Sequence, residues 1–254
     1  LNPLLENNMA QYSYHGYSTT DYYRIDPRYG SNQSYKAMVQ QAREKGIKVI
    51  MDHIVNHIGA AHWWMKDLPA PDWVHSPDSL VITNHERTTH QDPHASEYDK
   101  QQMVNGWFVE SMPDLNQNNP LLAEYLIQNS IWWIEYAGLQ GIRQDTYPYP
   151  DAGFLSRWSC RIMKEYPDFN IVGEEWSYNP AIVAYWQRGK SSPDGYKSCL
   201  PSVMDFPLHR GLIKALNAKM GGWEHLYRAL SNDFQYANPQ NLVIIPDNHD
   251  MSRF

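Results

Sequence analysis

Three carboxylates, Asp145, Glu174 and Asp250, each follow a short apolar run, and their types suit joint chemistry. Asp145 ends the stretch Gly141-Ile-Arg-Gln-Asp, with Arg143 two residues before it. On a strand, side chains two apart share a side, and a guanidinium beside a carboxylate keeps it ionised and oriented. That is the condition a nucleophilic Asp requires. Glu174 lies in Gly173-Glu174-Glu175-Trp176 and suits the partner role of proton donor, with Trp176 and nearby carboxylates to raise its pKa. Strand alternation turns Glu175 to the opposite side, so Glu174 is preferred. Asp250 could stabilise positive charge developing between them. A nucleophile and an acid roughly 5–5.5 Å apart suit a double displacement at a sugar's anomeric carbon. Any one Asp after a strand is more often a turn residue, so the inference rests on the set.

The elements that must hold these groups alternate along the chain. Strands are expected over Lys48–Asp52, Gly141–Asp145, Phe169–Glu174, Ser202–Asp205 and Leu242–Ile245. Helical spacing falls at Ser34–Glu44, Pro120–Tyr136, Phe154–Tyr166, Pro180–Gln187 and Leu208–Leu230, the last broken at Gly221-Gly222. Residues 4–32 read as a long irregular loop, and Leu1-Asn2-Pro3 as the tail of a strand. Alternation of this kind implies a parallel sheet. No Gly-x-Gly-x-x-Gly turn follows a strand, which argues against a dinucleotide fold. Polar residues gather just past the strand ends, the habit of a (β/α)8 TIM barrel. Residues 58–113 interrupt the alternation and are expected to be an inserted excursion. The barrel would then comprise residues 1–57 and 114–254 and be incomplete, with at least one strand at each end outside the chain.

Composition narrows the partners. The 254 residues carry 21 Lys+Arg against 28 Asp+Glu, a net charge of −7, and no basic run interleaves with aromatics, which excludes a nucleic-acid surface. With 10 Trp and 18 Tyr the chain is rich in flat faces on which pyranose rings stack, although core packing uses the same residues. Nothing reads as a signal peptide or a membrane span. Cys160 and Cys199 could form one disulfide; two thiols is the simpler expectation.

Taken together, the motifs resemble those of the α-amylase family, glycoside hydrolase family 13. Asp52 to His57 resembles its Asp-x-x-x-Asn-His region, Gly141 to Asp145 its Gly-x-Arg-x-Asp region, Gly173-Glu174 its third region and Asn248-His249-Asp250 its Asn-His-Asp region. Met112-Pro-Asp-Leu-Asn116 resembles a fifth region, and His15-Gly16-Tyr17 with Asp21-Tyr22 an early active-site loop. The resemblance implies Asp145 as nucleophile, Glu174 as general acid/base and Asp250 as transition-state stabiliser. It implies Arg143 holding Asp145, His57 and His249 bonding sugar hydroxyls, Tyr17 stacking on the ring, and Trp176 beside the acid. Residues 58–113 would be the family's inserted B domain after the third barrel strand. The Gly-Glu-x-Trp and Met-Pro-x-Leu-Asn forms are similar to the neopullulanase and cyclomaltodextrinase branch, which implies an α-glucan substrate cleaved at α-1,4 and in some members α-1,6 bonds. No organic cofactor is implied. The resemblance allows a structural calcium at Asn56 and a homodimer in the full-length protein, and leans towards a periplasmic or other extracytoplasmic location. One departure stands out: a Lys-His pair commonly follows the second region, where this chain has Tyr147-Pro148-Tyr149.

Two relatives of this reading keep the same site. A transglycosylase passes the covalent glycosyl group to a sugar hydroxyl instead of water, and a non-catalytic homologue or fragment only binds glucan. A metal-dependent hydrolase using Asp52, His53 and His57 is disfavoured, because neither His-x-His nor His-Glu-x-x-His occurs on a strand or helix there.

Overall fold

Asn119, Pro120 and Gly138 frame the longest helix of the chain. A computed structural model describes residues 2–218 and 220–251. In it the Asn119 side chain accepts from the Leu121 and Leu122 amides, Pro120 opens the first turn, and Gly138 (φ 74°) closes the helix in the left-handed conformation. This is α3 (Pro120–Ala137), the third in a series with α1 (Asn32–Glu44) and α2 (Glu97–Val104). The series continues with α4 (Ala152–Glu165), α5 (Pro180–Tyr185), α6 (Phe206–Asn217) and α7 (Trp223–Leu230). α6 and α7 are the two halves expected on either side of Gly221-Gly222.

Of the strands, β1 (Leu5–Glu6) and β2 (Asp21–Ile25) pair antiparallel. This corrects the expectation of an irregular loop over 4–32. Tyr22 and Ile25 are buried on β2 and Leu5 on β1, and β-prone residues pair once their apolar side chains have a core to face. The connection is too long to carry a hairpin signal. Asn2 and Pro3 form no strand, and Leu1 of the expected strand tail lies outside the described residues. The other five strands are β3 (Ile50–His53), β4 (Gly141–Gln144), β5 (Asn170–Gly173), β6 (Ser202–Met204) and β7 (Leu242–Val243). They form one parallel sheet whose spatial order, β3-β4-β5-β6-β7, repeats the chain order. A sheet that adds each new strand to the same side, with at least one helix between each consecutive pair, is an arc of a (β/α) barrel rather than a doubly wound sheet.

α3 locks this arc to its neighbours. Asn129 is fully buried; its amide nitrogen donates to the Tyr22 carbonyl (2.9 Å) and its oxygen meets His53 Nε2 (3.0 Å). Trp133 Nε1 donates to the same Tyr22 carbonyl (2.8 Å), and Trp158 Nε1 of α4 donates to Ser130 Oγ (2.9 Å). Trp133 and Trp158 thus both have a partner for their buried indole N–H, and their rings pack in the core cluster. Cys160 on α4 is joined to Cys199, ahead of β6, by a disulfide, which corrects the expectation of two thiols. α4 and the segment before β6 run side by side, as the bond from Ser156 Oγ to the Lys197 carbonyl (2.7 Å) also records; a separation of 39 residues gives no sign of this.

Residues 58–113 contribute no strand to the sheet. They hold two 3-10 turns, Trp63–Met65 and Arg87–His90, together with α2. The Met112–Asn116 stretch that follows buttresses the end of β3: the Leu115 amide donates to the Asn56 carbonyl (2.9 Å), and His57 pairs with Asp114 in a single antiparallel bridge.

Candidate active site

The register of the sheet builds the site. Arg143 lies opposite Asp52 in the β3–β4 pairing, and Gln144 lies opposite Gly173 in the β4–β5 pairing. Asp145 and Glu174 are therefore the next positions past neighbouring strand ends. Their backbone continues the ladder: the Asp145 amide donates to the His53 carbonyl (3.0 Å) and the Glu174 amide to the Gln144 carbonyl (3.0 Å). Gly173 leaves room for this turn, because a Cβ there would sit 2.9 Å from the Tyr147 ring.

Arg143 is the hub. Its Nη1 donates to Asp145 Oδ1 (2.8 Å) and Asp52 Oδ1 (2.7 Å). Its Nη2 lies 2.5 Å from Glu174 Oε1, an ion pair without hydrogen-bond angles. Three buried carboxylates around one guanidinium leave two negative charges in excess if all ionise, so the cluster favours retaining a proton. Glu174 is pushed up to about 7, first by burial and then by the charge of Asp145, with Asp250 adding to it. Burial also pushes Asp52 and Asp145 up, opposed in both by the charge and hydrogen bond of Arg143. Glu174, which lacks that hydrogen bond, is the natural seat of the proton. Thr146 holds the carboxyl in place, though its bond favours the ionised form: its amide donates to Glu174 Oε2 (3.1 Å) from a left-handed backbone (φ 45°) that a β-branched residue rarely adopts.

These groups open on a cavity of about 800 Å3. Every residue expected at the site lines it except Arg143, which lies beneath. Asp145 Oδ2 is buried and has no hydrogen-bond partner among the described residues, so one oxygen is held by Arg143 and the other is unpaired. His57 is neutral, pushed down to about 3 by burial; its ring stacks on Phe108 (5.4 Å) and its Nε2 is likewise unpartnered among the described residues. Tyr17 donates its hydroxyl to Asp52 Oδ2 (3.1 Å), and its ring face meets His249 (5.1 Å). Trp176 stacks on Phe206 (4.9 Å). At the third strand end His249 Nε2 pairs with Asp250 Oδ2 (3.0 Å), and Asp250 stays exposed. Glu175 turns away as alternation predicts: it is fully buried and accepts from Trp186 Nε1 (2.9 Å).

The model of the alpha amylase catalytic domain matches residues 1–254, the whole chain. The chain belongs to the α-amylase family. Among relatives of this family, the intracellular maltogenic amylase of Bacillus subtilis is 29% identical over 249 residues, covering 95% of this chain and 38% of the amylase. Neopullulanase 2 of Thermoactinomyces vulgaris is 30% identical over 178 residues, covering 66% of this chain and 27% of its own. The crystal structure of the α-amylase of Geobacillus thermoleovorans, complexed with acarbose, superimposes with a TM-score of 0.80 at 30% identity, covering 98% of this chain and 50% of that one. The chain thus spans half or less of the length of these α-amylase-family relatives, and its five-stranded arc belongs to their TIM barrel.

The resemblance assigns no role to Asp52, Thr146, Phe108 or Tyr149, which the structure brings to the site. Asp52 enters the sequence reading as the start of a motif and in the disfavoured metal site, yet β3–β4 register opposes it to Arg143. Thr146 carries no signal, since no glycine marks the strained turn. Phe108 and Tyr149 meet at 5.0 Å across the cavity wall from segments 41 residues apart in sequence, which periodicity cannot foresee. For a structural calcium, Asn56 offers one buried, unpartnered oxygen. Among the described residues no group of three or more His, Cys, Asp or Glu side chains converges as metal ligands. Asn56 would supply one of the six to eight oxygens calcium takes.

Proposed function

We propose that this chain carries the active site of a retaining α-glucan hydrolase that cleaves α-1,4 and, in some substrates, α-1,6 bonds. The observation that supports it best is the shared arginine: Asp145 and Glu174 at neighbouring strand ends both face Arg143, and Asp145, which lines the cavity, keeps one carboxylate oxygen without a hydrogen-bond partner among the described residues. Neighbouring parallel strands lie about 4.8 Å apart, which suits the short carboxylate separation of a retaining enzyme.

In this reading protonated Glu174 donates to the glycosidic oxygen as that bond breaks, and Asp145 Oδ2 forms a bond to the anomeric carbon. The leaving sugar departs with the proton, and a covalent glycosyl ester remains. Glu174, now ionised, takes a proton from water, whose oxygen displaces Asp145 and regenerates both groups. Asp250 stabilises the oxocarbenium-like charge at each step. His57 Nε2 and His249 bond sugar hydroxyls, and Tyr17 supplies an aromatic wall. No metal or organic cofactor is called on. Residues 58–113 act as the B domain, between barrel portions 1–57 and 114–254. The Cys160–Cys199 disulfide supports an oxidising, extracytoplasmic setting.

The test is product analysis on pullulan, starch and cyclodextrin, with Asp145→Asn as control. Panose from pullulan supports α-1,4 cleavage, and maltotriose moves the enzyme to α-1,6 bonds. Larger oligosaccharides in place of hydrolysis products identify a transglycosylase. Intact glucan binding without any product contradicts the proposal.

A further inference from the structure

Among the described residues lining the cavity, Arg87 is the only Lys or Arg. It opens the 3-10 turn Arg87–His90, in the excursion, far in sequence from every motif residue. Two arginines thus serve the site, and they are used differently. Arg143 pairs with three carboxylates. The Arg87 guanidinium has an ion pair with Glu175 Oε1 at 3.8 Å and donates no hydrogen bond among the described residues. Its charge is anchored while its N–H fork is left over, and the side chain is only partly exposed. Sugar hydroxyls are good acceptors for such a fork.

The anchor is built. Glu175 is fully buried, its Oε2 accepts from Trp186 Nε1 (2.9 Å), and its Oε1 has no hydrogen bond and faces Arg87. Burying a carboxylate this deeply is costly unless a cation answers it, and the residue next to the catalytic acid is where that cost is borne. His90, at the other end of the same turn, meets the Pro148 carbonyl through Nε2 (2.7 Å) and packs edge-on against Trp186 (5.1 Å). His85, just before the turn, meets the Tyr149 hydroxyl through Nδ1 (3.0 Å). The turn is therefore fastened to the ends of both β4 and β5.

Position gives the role. Glu174 must face the leaving oxygen, so the leaving sugar lies on its side of the scissile bond. Arg87 lines the cavity beside the loop that follows Asp145, where its turn is tied to the Tyr149 hydroxyl by His85 and to the Pro148 carbonyl by His90, whereas Tyr17 stacks on His249 and bonds Asp52. We propose that Arg87, positioned by buried Glu175, binds hydroxyls of the α-glucan's leaving-side glucosyl units. Thr146 to Tyr149 bring no charged group to that part of the cavity, so Arg87 supplies its only fixed positive charge among the described residues. Glu175 is a positioning residue and touches no substrate.

This inference rests on the function proposed above, and the test separates the two. Steady-state kinetics on maltohexaose are measured in the full chain for the parent, Arg87→Ala, Arg87→Lys and Glu175→Gln. Maltohexaose affinity is measured by calorimetric titration in the Asp145→Asn background. Losing a charge-assisted pair of hydrogen bonds is expected to raise KM and weaken affinity about tenfold in Arg87→Ala, with kcat within about threefold. Arg87→Lys should recover part of the affinity, and Glu175→Gln should weaken it about threefold without a substrate contact of its own. Unchanged affinity in Arg87→Ala, while the parent still cleaves α-glucan, overturns the inference alone. A fall in kcat and thermal midpoint with KM unmoved also overturns it, since that marks a purely structural role. A parent that cleaves no α-glucan overturns the functional reading and this inference with it.

Discussion

The arc of strands and the excursion of residues 58–113 hold their share of the site in different ways. On the arc, position comes from backbone: two ladder bonds carry Asp145 and Glu174 past their strands, and register alone sets Asp52 against Arg143. On the excursion, position comes from side chains, with His85, Arg87 and His90 reaching Tyr149, Glu175 and the Pro148 carbonyl. A ladder repeats and tolerates little adjustment, so it suits groups that must meet reacting atoms within a fraction of an ångström. Side-chain ties are fewer and individually replaceable, and they suit a wall that selects substrate. Chemistry is thus expected to be sensitive to the arc, and substrate preference to the excursion.

The sharpest break of this comparison is on the arc. Asp145→Asn removes the nucleophile with little change of shape, and turnover should fall on the order of 10⁴-fold or more, while glucan affinity measured by titration stays close to the parent's. Arg143→Ala strikes the same region through stability. It leaves three buried carboxylates without their cation, and chemical denaturation should report a loss of about 3–5 kcal/mol. The excursion should respond more gently. His90→Ala removes one buried hydrogen bond and an aromatic contact, which predicts about 1–2 kcal/mol of stability and a several-fold rise in KM with kcat nearly kept.

pH sharpens the comparison further, because Glu174 and Glu175 are adjacent and titrate for different ends. Glu174 must be protonated to act as an acid, and it is pushed up to about 7, so kcat should fall as pH rises through about 7. Glu175 is also pushed up to about 7 by burial, with Arg87 opposing. A carboxyl raised on folding binds its proton more tightly in the native state. Its stabilising contribution is full below the unfolded pKa near 4.5 and is lost as pH climbs towards 7. Stability measured by denaturation should decline over that window in the parent, where Glu174 and Asp52 contribute as well, and Glu175→Gln should make the decline shallower by up to about 3 kcal/mol.

How much of this was legible in the sequence follows the same division. The strand-borne groups could be read, since period-two alternation put Arg143 with Asp145 and turned Glu175 from Glu174, as the structure bears out. The five parallel strands and the break at Gly221-Gly222 were read for the same local reasons. The β1–β2 pair was missed because its connection carries no turn signal, and the disulfide because Cys160 and Cys199 meet only through packing of α4 on the segment before β6. Asp52 needed inter-strand register, which a single strand does not state. Phe108 and Tyr149 needed the path of the excursion, which is set by contacts such as His90 with the Pro148 carbonyl rather than by any periodicity.

Trapping the covalent glycosyl group tests most directly whether Asp145 is the nucleophile. The full chain is incubated with a 5-fluoro-α-glucosyl fluoride, a substrate whose second step is slow, and the digest is sequenced by mass spectrometry. The account predicts one added fluoroglucosyl unit, on the peptide containing Gly141 to Tyr149 and attached at Asp145, and none in Asp145→Asn. A label on Glu174 or Asp250, or steady turnover of α-glucan with inversion at the anomeric carbon and no label, would contradict it.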